Sequence, residues 1–177
     1  MNNKPAPRLL LILPSVLMVT LGVFYAYGLT FDPNKSQSRL IGKAFPIVTL
    51  PALSDTQKEI SSLYFKTPAI INIWASWCSA CRAEHEFLMQ LSKQGVTIYG
   101  VDYQDDLENA RNYLHQKGNP YNAVMFDAEM ASAIPFDIQS LPQTYLVDEN
   151  GVICARHIGT LTPKNLKIMQ TSFIKNE

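Results

Sequence analysis

Two cysteines at the junction of a buried strand and a helix place the strongest constraint on the fold of this chain. Residues 69–75 read Ala-Ile-Ile-Asn-Ile-Trp-Ala, an apolar, β-branched run typical of a central strand buried on both faces. Trp-Cys-Ser-Ala-Cys follows at 77–81, and apolar residues at helical spacing then predict a helix over 80–94. Cys78 is therefore expected at a helix N-terminus, where free N–H groups and the helix dipole stabilise a thiolate.

This placement predicts redox chemistry. A thiolate attacks disulfides, and a second thiol one helical turn later can resolve the mixed disulfide that forms. Cys78 is predicted to be the nucleophile and Cys81 the resolving cysteine, with their disulfide as the redox group and no further cofactor or metal. Two alternatives remain open. A permanent disulfide would close a very short loop and gain little chain entropy; a zinc site would need more ligands than His85 adds.

The remaining sequence predicts alternating strands and helices, and hence an α/β fold with parallel strands and crossover helices. Asn150-Gly151 is a strong hairpin signal, and Thr162-Pro163 is typical of a helix start. The predicted strands span 47–50, 69–75, 96–101, 123–126, 144–147 and 152–158, with a further short segment around 60–63; the predicted helices span 80–94, 105–117 and 163–173, with a helical turn or two at 129–134.

A proline lies just before one of the later strands. Residues 140–144 read Ser-Leu-Pro-Gln-Thr, and Pro142 in this loop-to-strand position is a candidate for a cis peptide bond. The feature is weak by itself, because most prolines are trans. It gains weight beside a CxxC at a strand–helix junction.

The N-terminus is apolar and uncharged from Leu9 to Leu29, about the length that crosses a bilayer as a helix. Lys4 and Arg8 precede this run, so the positive-inside rule predicts a cytoplasmic N-terminus and an exported remainder. A cleaved signal peptide is the alternative, but its apolar region is shorter, about 7 to 15 residues, and no Ala-x-Ala cleavage site follows here. Both interpretations predict export.

The predicted organisation has three parts: residues 1–30 as the cytoplasmic N-terminus and transmembrane anchor, 31–39 as a polar linker, and 40–177 as one domain. With Lys4 and Arg8 set aside, 13 of the 15 basic residues remain against 15 acidic ones, a net charge of −2. This slightly acidic body gives no electrostatic reason to expect nucleic-acid binding. The sequence is silent on oligomeric state.

Four local strings narrow the family. They are Ile-Asn-Ile-Trp-Ala-Ser-Trp-Cys at 71–78, Cys-Arg-Ala-Glu-His at 81–85, Tyr-Gln-Asp-Asp at 103–106 and Gly-Asn-Pro-Tyr at 118–121. With the order of elements, they resemble the DsbE or CcmG family, the membrane-anchored thiol:disulfide interchange proteins of c-type cytochrome maturation. The resemblance covers about residues 8–175 and implies a thioredoxin-like fold with a central mixed sheet flanked by helices.

The resemblance also implies a function and partners. A member of this family is a thiol-disulfide oxidoreductase in the periplasm, anchored in the bacterial inner membrane by one helix. It reduces the CxxCH haem-attachment cysteines of apocytochrome c, directly or through a partner thiol protein, and receives electrons from a membrane thiol reductase of the DsbD or CcdA kind. A general disulfide oxidant or isomerase, and a non-catalytic chaperone module that binds apocytochrome, are the competing functions.

Several site residues follow from the resemblance. Thioredoxin has a buried Asp where this chain has Asn72, so that base is missing; the family's acidic residue after the second cysteine corresponds to Glu84, a candidate general base for Cys81. Trp77, Leu141 and Gln143 are predicted to contact the partner.

This chain departs from the family pattern at two points. Ser79-Ala80 replaces the dipeptide that usually contains Pro, which leaves the redox poise open. Gln143 replaces a Glu common after the cis-Pro, which removes one charge from the groove thought to receive the partner. The third cysteine, Cys154, is predicted to be a small buried hydrophobic residue in the hairpin rather than a third redox thiol.

Overall fold

The computed structural model describes residues 8–29 and 38–174, with side chains for 14–28 and 38–170. The chain divides into two units, residues 1–36 and 37–177. The described residues of the first unit form the helix α1 (Arg8–Leu29), with Pro14 inside it. Within the described ranges, no helix is both long enough and apolar enough to cross a membrane. The predicted transmembrane span is therefore not confirmed.

The second unit is built on a five-stranded mixed sheet. Its strands are β3 (Ala69–Trp74), β4 (Ile98–Tyr103), β5 (Ala123–Asp127), β6 (Gln143–Val147) and β7 (Ile153–Ile158), in the order β5-β4-β3-β6-β7. β3, β4 and β5 are parallel, whereas β6 is antiparallel to both β3 and β7. A separate antiparallel pair is formed by β1 (Thr49–Pro51) and β2 (Glu59–Ser61), and a 3₁₀ turn follows at Ser62–Tyr64. The predicted central mixed sheet is confirmed.

The described part of this unit has three helices: α2 (Ser79–Lys93), α3 (Leu107–Lys117) and α4 (Pro163–Ile174). α2 connects β3 to β4, α3 connects β4 to β5, and α4 follows β7. α3 starts at the N-cap Asp106, whose side chain accepts hydrogen bonds from the N–H groups of Glu108 and Asn109. The segment at 129–134, predicted as a helical turn or two, forms successive turns without a regular helix. Its backbone is held instead by the buried carboxylate of Asp127, which accepts the N–H groups of Ala131 and Ser132.

Two apolar clusters fill the space on the two faces of the sheet. β3 is buried along its whole length, and because side chains alternate along a strand, Ile70 and Trp74 join one cluster whereas Ile71 and Ile73 join the other. The first cluster contains the buried apolar residues of α2, α3 and α4. The second is covered by the segment before β3 and by the turns around Phe136. β3 thus carries its even-numbered residues, Asn72 among them, toward α2.

Most of the predicted linker, 31–39, lies outside the described residues. Its last two residues are described, and both contact the domain: Ser38 Oγ donates to Asp137 Oδ2 at 2.8 Å, and Arg39 Nη2 donates to the Ile134 carbonyl at 2.9 Å. Ser38 is buried. The packed unit therefore includes these two residues as well as residues from Leu40 onward.

Candidate active site

The two cysteines lie where β3 ends and α2 begins. Cys78 is the N-cap of α2 and is joined to Cys81 by a disulfide, with the two Cα atoms 5.3 Å apart. Cys78 Sγ also accepts the N–H of Cys81 at 3.1 Å. An N–H donor and the positive end of the helix dipole favour negative charge on this sulfur once the disulfide is reduced. The geometry suits Cys78 as the attacking thiolate.

The loop before Cys78 is held by the loop after β4. Asp105 accepts the Ser76 N–H at 2.5 Å and the Ser76 hydroxyl at 2.9 Å. The indole N–H of Trp77 donates to the Gln104 carbonyl at 2.9 Å, while 55% of Trp77 stays exposed. Trp77 is thus fixed at its N–H and free to present its ring. In the sequence, the contact between Ser76 and Asp105 was indicated only by the Tyr-Gln-Asp-Asp string at 103–106.

Glu84 lies inside the protein, one helical turn after Cys81, with 1% of its surface exposed. Its carboxylate accepts the Asn72 side-chain N–H at 2.8 Å and the Leu161 N–H at 2.5 Å. Burial raises the pKa of Glu84 to about 7, although both hydrogen bonds act in the opposite direction. A carboxyl that titrates near neutrality can both accept and return a proton.

The side chain of Asn72 makes buried hydrogen bonds to Glu84, Thr144 and Tyr121. It is fully buried; its amide NH₂ donates to Glu84 and to Thr144 Oγ1, and its oxygen accepts the hydroxyl of Tyr121 at 2.9 Å. The sequence places an amide rather than a carboxylate at position 72. It did not indicate that Asn72 connects Glu84 with Tyr121 and Thr144, because these residues meet only across the sheet.

The loop before β6 reaches the first turn of α2 through the segment after β7. The Leu141–Pro142 peptide bond is cis, and the Pro142 carbonyl accepts the Gly159 N–H at 2.8 Å. Thr160 Oγ1 donates to the Ala80 carbonyl at 3.4 Å. Pro142 is buried and Leu141 half-buried. A second cis bond, Thr67–Pro68, precedes β3.

Gln143 lies inside the protein instead of lining a groove. Its side chain is fully buried, accepts the Gln139 N–H at 3.2 Å, and donates to the Asp137 carbonyl and the Tyr145 hydroxyl. These contacts brace the loop that leads to the cis bond. Gln143 therefore offers no exposed surface to a partner in this structure, and its predicted binding role stays a prediction.

His85 and Cys154 lie in different surroundings. His85 packs inside the protein: it is buried, its ring lies edge-on to Tyr113, and its Nε2 is 3.1 Å from the Gly118 carbonyl. Cys154 in β7 is half-buried rather than fully buried, with its Sγ 3.5 Å from the Val152 carbonyl. Among the described residues, no cluster of three or more His, Cys, Asp or Glu could hold a metal ion.

Asp102 was not singled out by the sequence. It lies on β4 next to Trp74 of β3, is fully buried, and neither of its carboxylate oxygens has a hydrogen-bond partner among the described residues. Burial, followed by the negative charges of Asp105 and Asp127, raises the pKa of Asp102 to about 9. Asp102 is therefore protonated at neutral pH.

Comparisons with known proteins agree with this geometry. The Redoxin family model matches residues 40–171. The thiol:disulfide interchange protein DsbE of Pseudomonas aeruginosa is 37% identical over 158 residues, covering 89% of this chain and 88% of that protein. The DsbE proteins of Vibrio cholerae and Escherichia coli are 39% and 34% identical, covering 76% and 89% of this chain and 73% and 89% of theirs.

Solved structures support the fold. A DsbF homologue from Corynebacterium diphtheriae superposes with a TM-score of 0.65 at 18% identity, covering 80% of this chain and 96% of that one. A secreted thiol-disulfide isomerase from Corynebacterium glutamicum gives a TM-score of 0.63 at 20% identity, with coverages of 74% and 85%. Both show the thioredoxin-like fold. Together with the disulfide at the start of α2, these relationships establish that the chain belongs to the Redoxin family and, within it, to the DsbE thiol:disulfide interchange proteins, and that it is a thiol-disulfide oxidoreductase.

Proposed function

We propose that this protein is an exported reductant that keeps the CxxCH cysteines of apocytochrome c, or of a partner thiol protein, reduced during c-type cytochrome assembly. The observation that carries the proposal is the buried Glu84, with a pKa of about 7, one turn past a dithiol at a helix N-terminus. Membership of the DsbE family and the strings around the cysteines support the cytochrome assignment. The electron donor would be a membrane thiol reductase of the DsbD or CcdA kind.

The reaction would proceed in two steps. The Cys78 thiolate attacks one sulfur of the partner disulfide and forms a mixed disulfide, while the other partner sulfur leaves as a thiolate and is protonated. Glu84 then takes the proton of Cys81, and the Cys81 sulfur attacks Cys78 Sγ. The second partner sulfur leaves and is protonated, so the partner gains two electrons and two protons. The Cys78–Cys81 disulfide is the only redox group that this scheme needs.

The substrate would lie against the exposed ring of Trp77 and the cis-Pro142 loop. Trp77 is exposed and held by Gln104, and Leu141 is half-buried beside the cis bond. An extended segment carrying the target disulfide would then cross Cys78. The half-buried Leu141 would contribute its backbone to this contact.

A complementation experiment tests the physiological role. A strain whose own copy carries Cys78→Ser should lose holocytochrome c, measured by haem staining, and an added small thiol should restore it. Cys154→Ser is the matched control, because it removes a cysteine outside the site and should leave holocytochrome c normal. Normal holocytochrome c in the Cys78→Ser strain without added thiol would refute the proposal.

Covalent trapping identifies the substrate. Cys81→Ala removes the resolving thiol, so Cys78 should remain joined to its partner, and mass spectrometry of the adduct should find an apocytochrome c or a thiol protein of its assembly. An adduct made up of unrelated secreted proteins would favour a general oxidant or isomerase.

The reduction potential separates a reductant from an oxidant. Equilibration with glutathione or dithiothreitol should give the Cys78–Cys81 couple a reduction potential well below that of the oxidant DsbA, about −120 mV. Ser79-Ala80 between the cysteines makes this measurement necessary. A double variant, Cys78→Ser with Cys81→Ser, that still supports cytochrome assembly would instead favour the chaperone function.

The proposal also includes location at the periplasmic side of the inner membrane, held by the N-terminal segment. The uncharged residues 9–29, preceded by Lys4 and Arg8, support it. Membrane fractions washed with carbonate should retain the protein, and protease added to spheroplasts should digest the catalytic domain. Release by carbonate would contradict an anchor, and protection from protease would contradict the orientation.

A further inference from the structure

A row of buried polar groups runs from the sheet to the base of the active-site helix. The Tyr121 hydroxyl is 2.9 Å from the Asn72 oxygen, and the Asn72 nitrogen is 2.8 Å from Glu84 Oε1 and 3.1 Å from Thr144 Oγ1. Asn72 is fully buried, Glu84 is 1% exposed and Tyr121 is 8% exposed. Of these buried polar groups, only Glu84 takes part in the proposed reaction. The role of the other groups depends on which way the Asn72 amide points.

The chain places Tyr121 at this position with several independent contacts. The Tyr121 N–H donates to Asn119 Oδ1 at 2.9 Å, and the ring stacks on Trp74 with centroids 5.6 Å apart. Gly100 on the neighbouring strand leaves room for the ring, because a Cβ there would lie 3.1 Å from Tyr121 Cγ. The hydroxyl is therefore fixed at the end of a ring that cannot easily move.

The Tyr121 hydroxyl donates to the Asn72 oxygen. The pKa of Tyr121 is raised well above 10, chiefly by burial, so the group keeps its proton. Because the Asn72 oxygen receives this proton, the NH₂ of Asn72 faces Glu84 and Thr144. With the amide reversed, two oxygen atoms would face each other at the Glu84 contact, which disfavours the ionised carboxylate.

We infer that Tyr121 is a positioning residue: its hydroxyl holds the Asn72 amide so that the NH₂ stays on Glu84, and in this way it controls how readily Glu84 accepts the proton of Cys81. The hydrogen bonds from Tyr121 to Asn72 and from Asn72 to Glu84 are observed, whereas the effect on the proton of Cys81 rests on the proposed function of Glu84. The transferred proton passes from Cys81 Sγ to a Glu84 oxygen, and the Cys81 sulfur then forms the bond to Cys78. No electron passes through Tyr121.

Tyr121→Phe tests the inference, because it removes the hydroxyl and keeps the ring on Trp74. The titration of the Glu84 side-chain carboxyl is followed by carbon-13 NMR in the oxidised full-length protein. Without a fixed donor on Asn72, the Glu84 midpoint should rise by about one pH unit above the wild-type value. Tyr113→Phe is the matched control, since Tyr113 also packs on Trp74, with centroids 5.7 Å apart, and it should leave the midpoint unchanged.

A double-variant comparison keeps the test valid if Tyr121→Phe alters packing. In an Asn72→Leu background the amide is gone, so adding Tyr121→Phe should not move the Glu84 midpoint further. An unchanged midpoint in Tyr121→Phe, or an equal shift in both backgrounds, would overturn the inference.

The pH profile of the Cys81 step separates this result from the role of Glu84. Single-turnover reduction of a model disulfide should show its midpoint displaced by the same unit in Tyr121→Phe, and Glu84→Gln should abolish that midpoint. If Glu84→Gln leaves the profile intact, the proposed base fails even where the NMR midpoint has moved. If Glu84→Gln abolishes the midpoint while Tyr121→Phe leaves the NMR midpoint in place, the base stands and the positioning role fails.

Discussion

Asp102→Asn is expected to stabilise the protein at neutral pH. Asp102 is fully buried on β4, and neither carboxylate oxygen has a hydrogen-bond partner among the described residues. Its pKa is raised from an ordinary 3.8 to about 9, by burial first and then by the charges of Asp105 and Asp127. An amide has almost the same shape and carries no charge at any pH.

The magnitude follows from linked protonation. Between pH 3.8 and about 9 the folded protein keeps the Asp102 proton and the unfolded chain releases it. The folded state binds more protons, so stability falls as the pH rises through this window, by about 1.4 kcal/mol per pH unit. Below the window both states are protonated and the penalty vanishes. At neutral pH about three units have been crossed, which gives a penalty of about 4 kcal/mol as an upper limit.

Urea unfolding of the oxidised full-length protein measures this difference across the pH range. The gap between Asp102→Asn and wild type should be small near pH 4 and widen by about 1.4 kcal/mol per unit toward pH 9. Glu84 titrates in part of the same window, but it is present in both proteins and cancels from the difference. Parallel stability curves would refute the reasoning, because they would mean that Asp102 ionises normally in the fold.

Three further outcomes are expected. Glu84→Gln should slow the Cys81 step about 100-fold or more at neutral pH, measured by stopped-flow tryptophan fluorescence, and an unchanged rate would exclude Glu84 as its base. Gly118→Ala should lower the free energy of unfolding by about 1 to 2 kcal/mol, because φ is +90° at this position and the new Cβ would lie 2.8 Å from Met89 Cε. Adding Met89→Ala should recover only the part of this loss that comes from the steric contact. Full recovery would show that the backbone conformation contributes nothing. Asp105→Asn should lower the pKa of Asp102 by removing a neighbouring negative charge, which appears as an earlier end to the fall of stability with pH.

Local sequence patterns predicted the strands and helices around the site well, because their signals are local. The run of residues 69–75 becomes β3, and the helix starting after Cys78 begins one residue earlier than predicted, at Ser79. The segment 129–134 was predicted less well, since the Asp127 carboxylate binds its N–H groups and gives them an alternative to helical hydrogen bonds. The predicted burial of Cys154 was wrong because alternate residues of β7 differ in exposure.

By itself the sequence determined the redox pair, its position between a strand and a helix, and the family. These follow from spacing along one stretch of chain and from strings such as Cys-Arg-Ala-Glu-His. Only the tertiary structure decided that Glu84 lies inside and titrates near neutrality, that Asn72 connects it to Tyr121, and that Asp102 is buried without a partner. The reason is physical: desolvation and hydrogen bonding depend on which groups approach through space, and these groups come from strands, helices and loops far apart in the chain.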